Sequence, residues 1–478
     1  MANAPRTASP KSPSATGHAE APPRGRRLNI LAGTVGHFIE WYDWYIYGLL
    51  AAVFSSQIFP GGSPAMSLIS ALLTYAIGFV VRPLSGIIIS PLADRYGRRV
   101  VLATTVGGMA AGSLILALTP PFSAIGYAAP LLFLFARVLQ GISAGSEMQS
   151  AIAYMVENGS TDRRGLFGSL SNMASGLATL AATGMGAIVT STLDTHDLET
   201  WGWRIPFAIG GLLGVVGLLL RSRADESPEF EAAVEESAAG RQPENLRLRE
   251  LLRRHPKALL QTAALSAPAV AYYTWATFLP TYAHLTTGRD LDSALAGNAI
   301  GLGLLVISVP LCGALSDRIG RRKPFPIIGA IGMVVLFYPL LLLLQHPGFG
   351  VYVTVTVSGW VVLAIWQGVY PTIQAELFPA AVRVSGIGVA HQIVIAALGG
   401  TAPLIASAFI EAGHPMGVAV YMTAVVLLCL IVYLTLPETG SAGTHTTSTT
   451  PLAAVSDAEH SSTSTKSTKS TKSTEDTP

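Results

Sequence analysis

Charge is scarce in this sequence. Asp, Glu, Lys and Arg make up 12% of its 478 residues, half of the residues are hydrophobic, and the mean hydropathy is +0.48. So little charge excludes a soluble multidomain protein of this length and indicates an integral membrane protein. Cysteine is scarcer: Cys312 and Cys429 both lie in apolar runs, which excludes a disulfide framework and leaves them as small buried packing residues. No Gly-x-x-x-x-Gly-Lys-Ser/Thr, Cys-x-x-Cys or His-Glu-x-x-His occurs. No nucleotide, nucleic-acid partner, metal or cofactor is therefore expected, and energy must come from an ion gradient or the solute itself. The apolar runs lack the inside/outside alternation that a membrane β-barrel requires. Residues 1–27 are rich in Pro, Ser and Ala and lack an apolar core, so they are not expected to be a cleaved signal peptide, and the first helix is its own insertion signal.

What is present is apolar length. Runs of roughly 20 residues, enough for a hydrocarbon core of about 30 Å, recur at roughly 29–54, 66–92, 100–119, 128–157, 166–191, 204–222, 258–284, 293–315, 324–344, 349–375, 384–411 and 416–436. The expectation is an all-α membrane protein of about 12 transmembrane helices. The 48 glycines and 30 prolines suit helices that pack closely in lipid. Basic residues crowd alternate loops: Arg24, Arg26 and Arg27, then Arg95, Arg98 and Arg99, Arg163 and Arg164, the stretch 221–257, and Arg318 to Lys323. Loops 55–65, 120–130 and 192–203 have no Lys or Arg, and 285–292 has Arg289. The positive-inside rule then places both termini and the central loop in the cytoplasm, with the chain in the cell (inner or plasma) membrane.

Two signatures are doubled. Asp94-Arg95-Tyr96-Gly97-Arg98-Arg99 returns as Asp317-Arg318-Ile319-Gly320-Arg321-Arg322, and Glu157, seven residues before Arg164, returns as Glu376, seven before Arg383. Both recur about 220 residues apart, which predicts parallel repeats enclosing a midplane site. The expected organisation is a disordered cytoplasmic tail (1–27), a six-helix bundle (28–222), a cytoplasmic linker (223–257), a second six-helix bundle (258–437) and a disordered tail (438–478) ending in Ser-Thr-Lys triplets. Asp94, Arg95, Arg98 and Arg99 are expected to cluster with Glu157 and Arg164, and Asp317, Arg318, Arg321 and Arg322 with Glu376 and Arg383. Such clusters latch the halves when the cytoplasmic mouth closes; a purely topogenic role for the arginines is the alternative.

In order along the chain, Glu40-Trp41-Tyr42-Asp43, Arg82-Pro83, the loop at 94–99, Arg137-Val-Leu-Gln140-Gly141 with Gly145 and Glu147, Trp201 to Phe207, Glu226-Ser227-Pro228 and Glu376-Leu377-Phe378-Pro379 with Arg383 resemble the major facilitator superfamily, and within it the metabolite:H⁺ symporter family, over about residues 30–437. The resemblance implies two pseudo-symmetric six-helix bundles, function as a monomer, no enzymatic activity, and import of a small carboxylate or zwitterion with protons; 2-oxoglutarate, citrate, shikimate, proline and betaine are family substrates. Two departures are Ser90, where the loop motif has Gly, and Ser146-Glu147-Met148-Gln149, where Gly-Glu-Tyr-Gly is usual.

Ionisable groups inside a bilayer cost several kcal/mol unless they face a wet cavity or a partner. Glu40 and Asp43, with Tyr47 one turn on, are expected on one face of the first helix, lining the interior. Either acid, or Glu147, is a candidate proton carrier; the alternative is a structural hydrogen-bonded pair. Arg137, with Gln140 beside it, either forks onto a substrate carboxylate or neutralises an acid of the first helix. Arg82 is expected in a structural ion pair, with a substrate contact as the alternative, and Arg204 as an anchor or gate residue. Tyr273, Trp275, Trp366, Gln367 and His391 are candidates to line the cavity and orient a polar substrate; packing at the lipid interface is the alternative for each aromatic, and a hydrogen-bonded core residue the alternative for His391. Together the reading is a proton symporter for an organic acid such as a di- or tricarboxylate, with Glu40, Asp43, Arg137 and Glu147 around a central vestibule. A zwitterionic osmolyte is the alternative solute, and a non-transporting membrane sensor a more remote reading.

Overall fold

In the computed structural model, residues 24–96, 98–144, 156, 161–222, 248–379 and 382–440 are described, with the side chains of 24–37, 84–103, 161, 220–222 and 248–250 excepted. The backbone forms α1 (Arg24–Ile58), α2 (Pro64–Tyr96), α3 (Arg98–Leu118), α4 (Ala128–Ala144), α5 (Arg164–Thr192), α6 (Arg204–Ser222), α7 (256–287, interrupted), α8 (Leu291–Ile319), α9 (Pro324–Leu344), α10 (Phe349–Glu376), α11 (Arg383–Glu411) and α12 (Gly417–Leu434). Leu212, Leu219, Leu311, Leu428 and Ile431 stand exposed on the outside. Water would penalise such a surface and lipid does not.

Within the first half α3 packs on α6, α4 on α2, and α1 on α6; within the second, α8 packs on α10, α9 on α10 and α12, and α7 on α11 and α12. The halves meet along α5–α8 and α2–α11. Small residues permit the first seam. A Cβ on Gly165 would sit 2.7 Å from the Gly313 carbonyl, and one on Gly313 would sit 2.6 Å from the Gly165 carbonyl, so the two backbones touch.

Prolines shape the helices around the centre. A proline lacks the N–H that would bond the carbonyl four residues back, and in lipid that carbonyl must find another donor. Three do so. Ala264 O, freed by Pro268, takes the Tyr433 hydroxyl at 2.9 Å; Ala276 O, freed by Pro280, takes Asn298 Nδ2 at 3.4 Å; Gln367 O, freed by Pro371, takes Asn172 Nδ2 at 2.7 Å. The last bond crosses between the halves. Wider π turns at Thr274–Phe278 and Ile395–Gly399 precede Pro280 and Pro403.

The sequence boundaries shift at three places. Residues 24–27, expected in the N-terminal tail, are the first turn of α1. Part of the expected linker forms a helix at Leu248–Arg254, and α7 begins at Pro256. Residues 438–440, expected in the C-terminal tail, are tied to the body because Glu438 Oε1 accepts the Arg322 N–H at 2.7 Å and the Gly440 N–H at 3.1 Å. The rest of both tails and 223–247 lie outside the described residues.

Candidate functional site

Asp43 is fully buried in the first half. Its Oδ2 lies in a very short contact with the Ser113 hydroxyl of α3, which also accepts Gln140 Nε2 at 2.9 Å. Gln140 Oε1 in turn takes Arg137 Nη1 at 2.7 Å, so acid and guanidinium are joined through a hydroxyl and an amide. Asp43 Oδ1 has no hydrogen-bond partner among the described residues, and a Cβ on Gly210 would collide with it. The Arg137 guanidinium lies 4.0 Å from the Tyr47 ring centre and 4.4 Å from that of Trp44. Arg82, on α2, lies 4.2 Å from the same Trp44 ring and 3.4 Å from Glu40 Oε1. Aromatic faces thus take the place of water around both cations.

Between the halves lies a cavity of about 30 Å³, room for only a few waters. From the first half come Trp41, Tyr45, Asn172 and Ser175; from the second, Tyr272, Tyr273, Trp366, Gln367, Tyr370 and His391. Trp366 stacks on Tyr370 at 4.4 Å, and Tyr370 lies parallel to His391 at 6.5 Å. Tyr45 donates to the Tyr272 hydroxyl across the seam at 3.3 Å. None of the described lining residues is Asp, Glu, Lys or Arg.

At the end bearing the basic loops, both Asp317 oxygens accept N–H groups from the first turn of α5, Gly165 and Leu166, each at 2.8 Å. A carboxylate on a helix N-terminus is a charge-assisted latch. Arg322 braces it, 3.3 Å from Asp317 and paired with Glu376. Arg383 Nε donates to Ala375 O at 2.6 Å. The expected outcome of Asp317→Ala is a population shift toward opening at this end of about 1–2 kcal/mol. In a chain lacking Cys312 and Cys429, maleimide labelling of Thr372→Cys, buried at this seam, should accelerate roughly tenfold; unchanged labelling removes the latch.

The architecture matches that of known proteins. A model of the Major Facilitator Superfamily matches residues 33–402. The chain belongs to the Major Facilitator Superfamily. Such proteins are transporters and not enzymes, and the chain is a multi-pass plasma-membrane protein. It is 30% identical to a proline/betaine transporter of Salmonella typhimurium over 87% of this chain and 84% of that one. It is 29% identical to an alpha-ketoglutarate permease of Escherichia coli, over 87% and 95%, and 30% identical to a citrate-proton symporter of Klebsiella pneumoniae, over 81% and 86%. These relatives place it in the superfamily's metabolite:H⁺ symporter group. The solved structure of a D-xylose-proton symporter shares the fold, with a TM-score of 0.69 at 19% identity over 86% of this chain and 98% of that one.

In this member of the superfamily Glu40, Asp43 and Arg137 do not line the central cavity. Asp43, Arg137, Gln140 and Tyr47 are sealed inside the first half; Tyr47 donates to Ala71 O at 3.1 Å. Glu40 sits in a separate, smaller space with Thr105, Met109 and Ser143. The vestibule expected around Glu40, Asp43 and Arg137 is therefore corrected to an aromatic one. The cause is helical phase: at about 100° per residue, Trp41 and Asp43 lie on nearly opposite sides of α1, whereas Trp41 and Tyr45 share one. Trp275 is also outside the lining, stacked 4.7 Å from Phe337. Tyr273, Trp366, Gln367 and His391 do line it.

Arg204 anchors α6, donating to Gln57 Oε1 and to Thr119 O at 3.0 Å each. Arg318 and Arg321 are exposed rather than gathered into the latch, and the partly buried Arg164 lends its carbonyl to Thr372 at 3.2 Å. Glu147 and Glu157 lie outside the described residues, as do the side chains of Asp94, Arg95, Arg98 and Arg99. Sequence reasoning missed Tyr45, Asn172, Ser113 and Tyr370 as site residues. Asn172 had a readable signal: it is the one amide side chain of its helix, and Pro371 announces a carbonyl in need of a donor.

Proposed function

We propose that this transporter is a proton-coupled symporter that imports a small carboxylate-bearing solute by alternating access, with both termini in the cytoplasm. The observation that carries the reading is Asp43, a buried acid bonded through Ser113 and Gln140 to Arg137 yet with one oxygen unpartnered among the described residues. Partly compensated burial is the condition under which a carboxyl exchanges a proton as its surroundings change. The relatives' names, which include both proton symport and small carboxylates, agree with it.

Of the two solute classes the sequence suggests, the lining favours the zwitterion over the di- or tricarboxylate. Two or three carboxylates placed among these rings would lack cationic partners among the described lining residues, and uncompensated buried charge is costly. A zwitterion brings its own counter-charge, and aromatic faces attract its ammonium end. Function as a monomer is part of the proposal. The test is uptake of labelled proline and 2-oxoglutarate into cells expressing the protein. Accumulation of one of them should collapse when a protonophore is added; accumulation that persists undiminished rules out proton coupling.

A further inference from the structure

His391 and Gln367 project into the central cavity from α11 and α10, and their hydrogen bonds define what they offer a ligand. His391 Nδ1 lies 2.9 Å from Ser266 Oγ. Ser266 has a single hydroxyl proton, and Thr262 O, an acceptor only, lies 2.9 Å away to receive it. Gln374 Nε2 also reaches Thr262 O, at 3.2 Å, which fixes the amide so that Nε2 is a donor toward Ser266 Oγ at 2.8 Å. With its proton given to Thr262 and Gln374 donating to it, Ser266 Oγ accepts from His391. The assignment that satisfies every contact puts the imidazole proton on Nδ1.

Ser266, Gln374 and Thr262 do not line the cavity, whereas His391 does. The Nδ1 edge therefore faces away from the cavity, leaving Nε2, with its lone pair, as the polar edge toward it. Gln367 lines the same cavity, and its Oε1 is buried with no hydrogen-bond partner among the described residues. His391 and Gln367 thus both line the cavity that the stacked Trp366 and Tyr370 also border.

Building on the symporter reading, we propose that His391 Nε2 and the Gln367 carbonyl form an acceptor pair that recognises an N–H donor on the ammonium head of a zwitterionic solute. The rings of Trp41, Trp366 and Tyr370 supply faces for the cation, and the Tyr273 hydroxyl, unpartnered among the described residues, donates to the solute's carboxylate. The cavity is contracted in this conformation, so the solute enters as the halves part. Primary and secondary ammonium groups satisfy the pair. A fully methylated nitrogen keeps the charge but leaves both acceptors bare, and bare buried acceptors cost binding energy.

The test uses the purified full-length protein, with tryptophan fluorescence reporting from Trp41 and Trp366. The titrants are L-proline, N,N-dimethylproline and 2-oxoglutarate. Proline is expected to bind at least about tenfold more tightly than its dimethyl analogue, and 2-oxoglutarate more weakly than proline. His391→Phe should erase the difference between proline and the analogue, and His391→Gln, which restores an acceptor, should recover most of it. Equal binding of the two prolines by the wild type overturns the proposal, as does tighter binding of 2-oxoglutarate or no binding of proline. So does a His391→Phe chain that loses both prolines in the same proportion, since that marks a packing role. Tight 2-oxoglutarate binding with protonophore-sensitive uptake would sink this inference alone and leave the symporter reading standing.

Discussion

Asp43→Asn is expected to abolish accumulation of solute against a gradient while leaving exchange of internal for external solute intact. The amide keeps the size of the carboxyl and can still meet Ser113, so the cavity between the halves has no reason to change shape. What is lost is the proton. A neutral zwitterion carried with one H⁺ moves one positive charge inward, worth about 2.3 kcal/mol per 100 mV. That sustains an accumulation of roughly fifty-fold per 100 mV, and the variant should fall to the equilibrium ratio of one. Counterflow of labelled solute in proteoliposomes checks the second half of the statement. A variant that still concentrates solute removes Asp43 from coupling, and Glu40 or Glu147 would then be examined in the same assay.

Arg137→Met is expected to give the largest loss of stability. Its guanidinium sits fully buried among Trp44, Tyr47 and Tyr75, and its removal leaves the acid side of the Asp43–Ser113–Gln140 chain without a cation. Breaking a buried charge pair from one side costs about 3–5 kcal/mol. Deleting both charges together costs far less, so Asp43→Asn/Arg137→Met should recover most of the lost thermal stability while remaining uncoupled. Arg137→Lys should not substitute, because an ammonium neither stacks between rings nor reaches Gln140 in the same fork geometry. Melting temperatures of the purified variants decide this. A double variant as unstable as Arg137→Met would mean that the arginine acts through packing alone.

The doubled signatures, the alternation of basic loops and the apolar runs carried the fold, because spanning a bilayer imposes length and hydropathy directly on the sequence. The charged residues were legible as a buried set for the same reason. Their direction was not. A polar residue in a membrane helix declares that it avoids lipid, yet the interior of one half and the cavity between halves are both lipid-free, and spacing alone does not separate them. Glu40 and Asp43 were read as one stripe, but they serve different neighbours, Arg82 on α2 and Ser113 on α3. Trp275 and Trp366 looked alike in the sequence. One stacks on Phe337 inside the second half and the other faces the cavity, a difference set by packing against distant helices.

The central claim is that solute and proton move together through Asp43. Its most direct test is a pH-sensitive dye sealed inside proteoliposomes, with the membrane potential held negative inside and a solute that binds the wild type added outside. The account predicts internal acidification that begins on solute addition in the wild type and is missing in Asp43→Asn, although that variant still exchanges solute. Solute entry without acidification in the wild type, or equal acidification in both proteins, would contradict it.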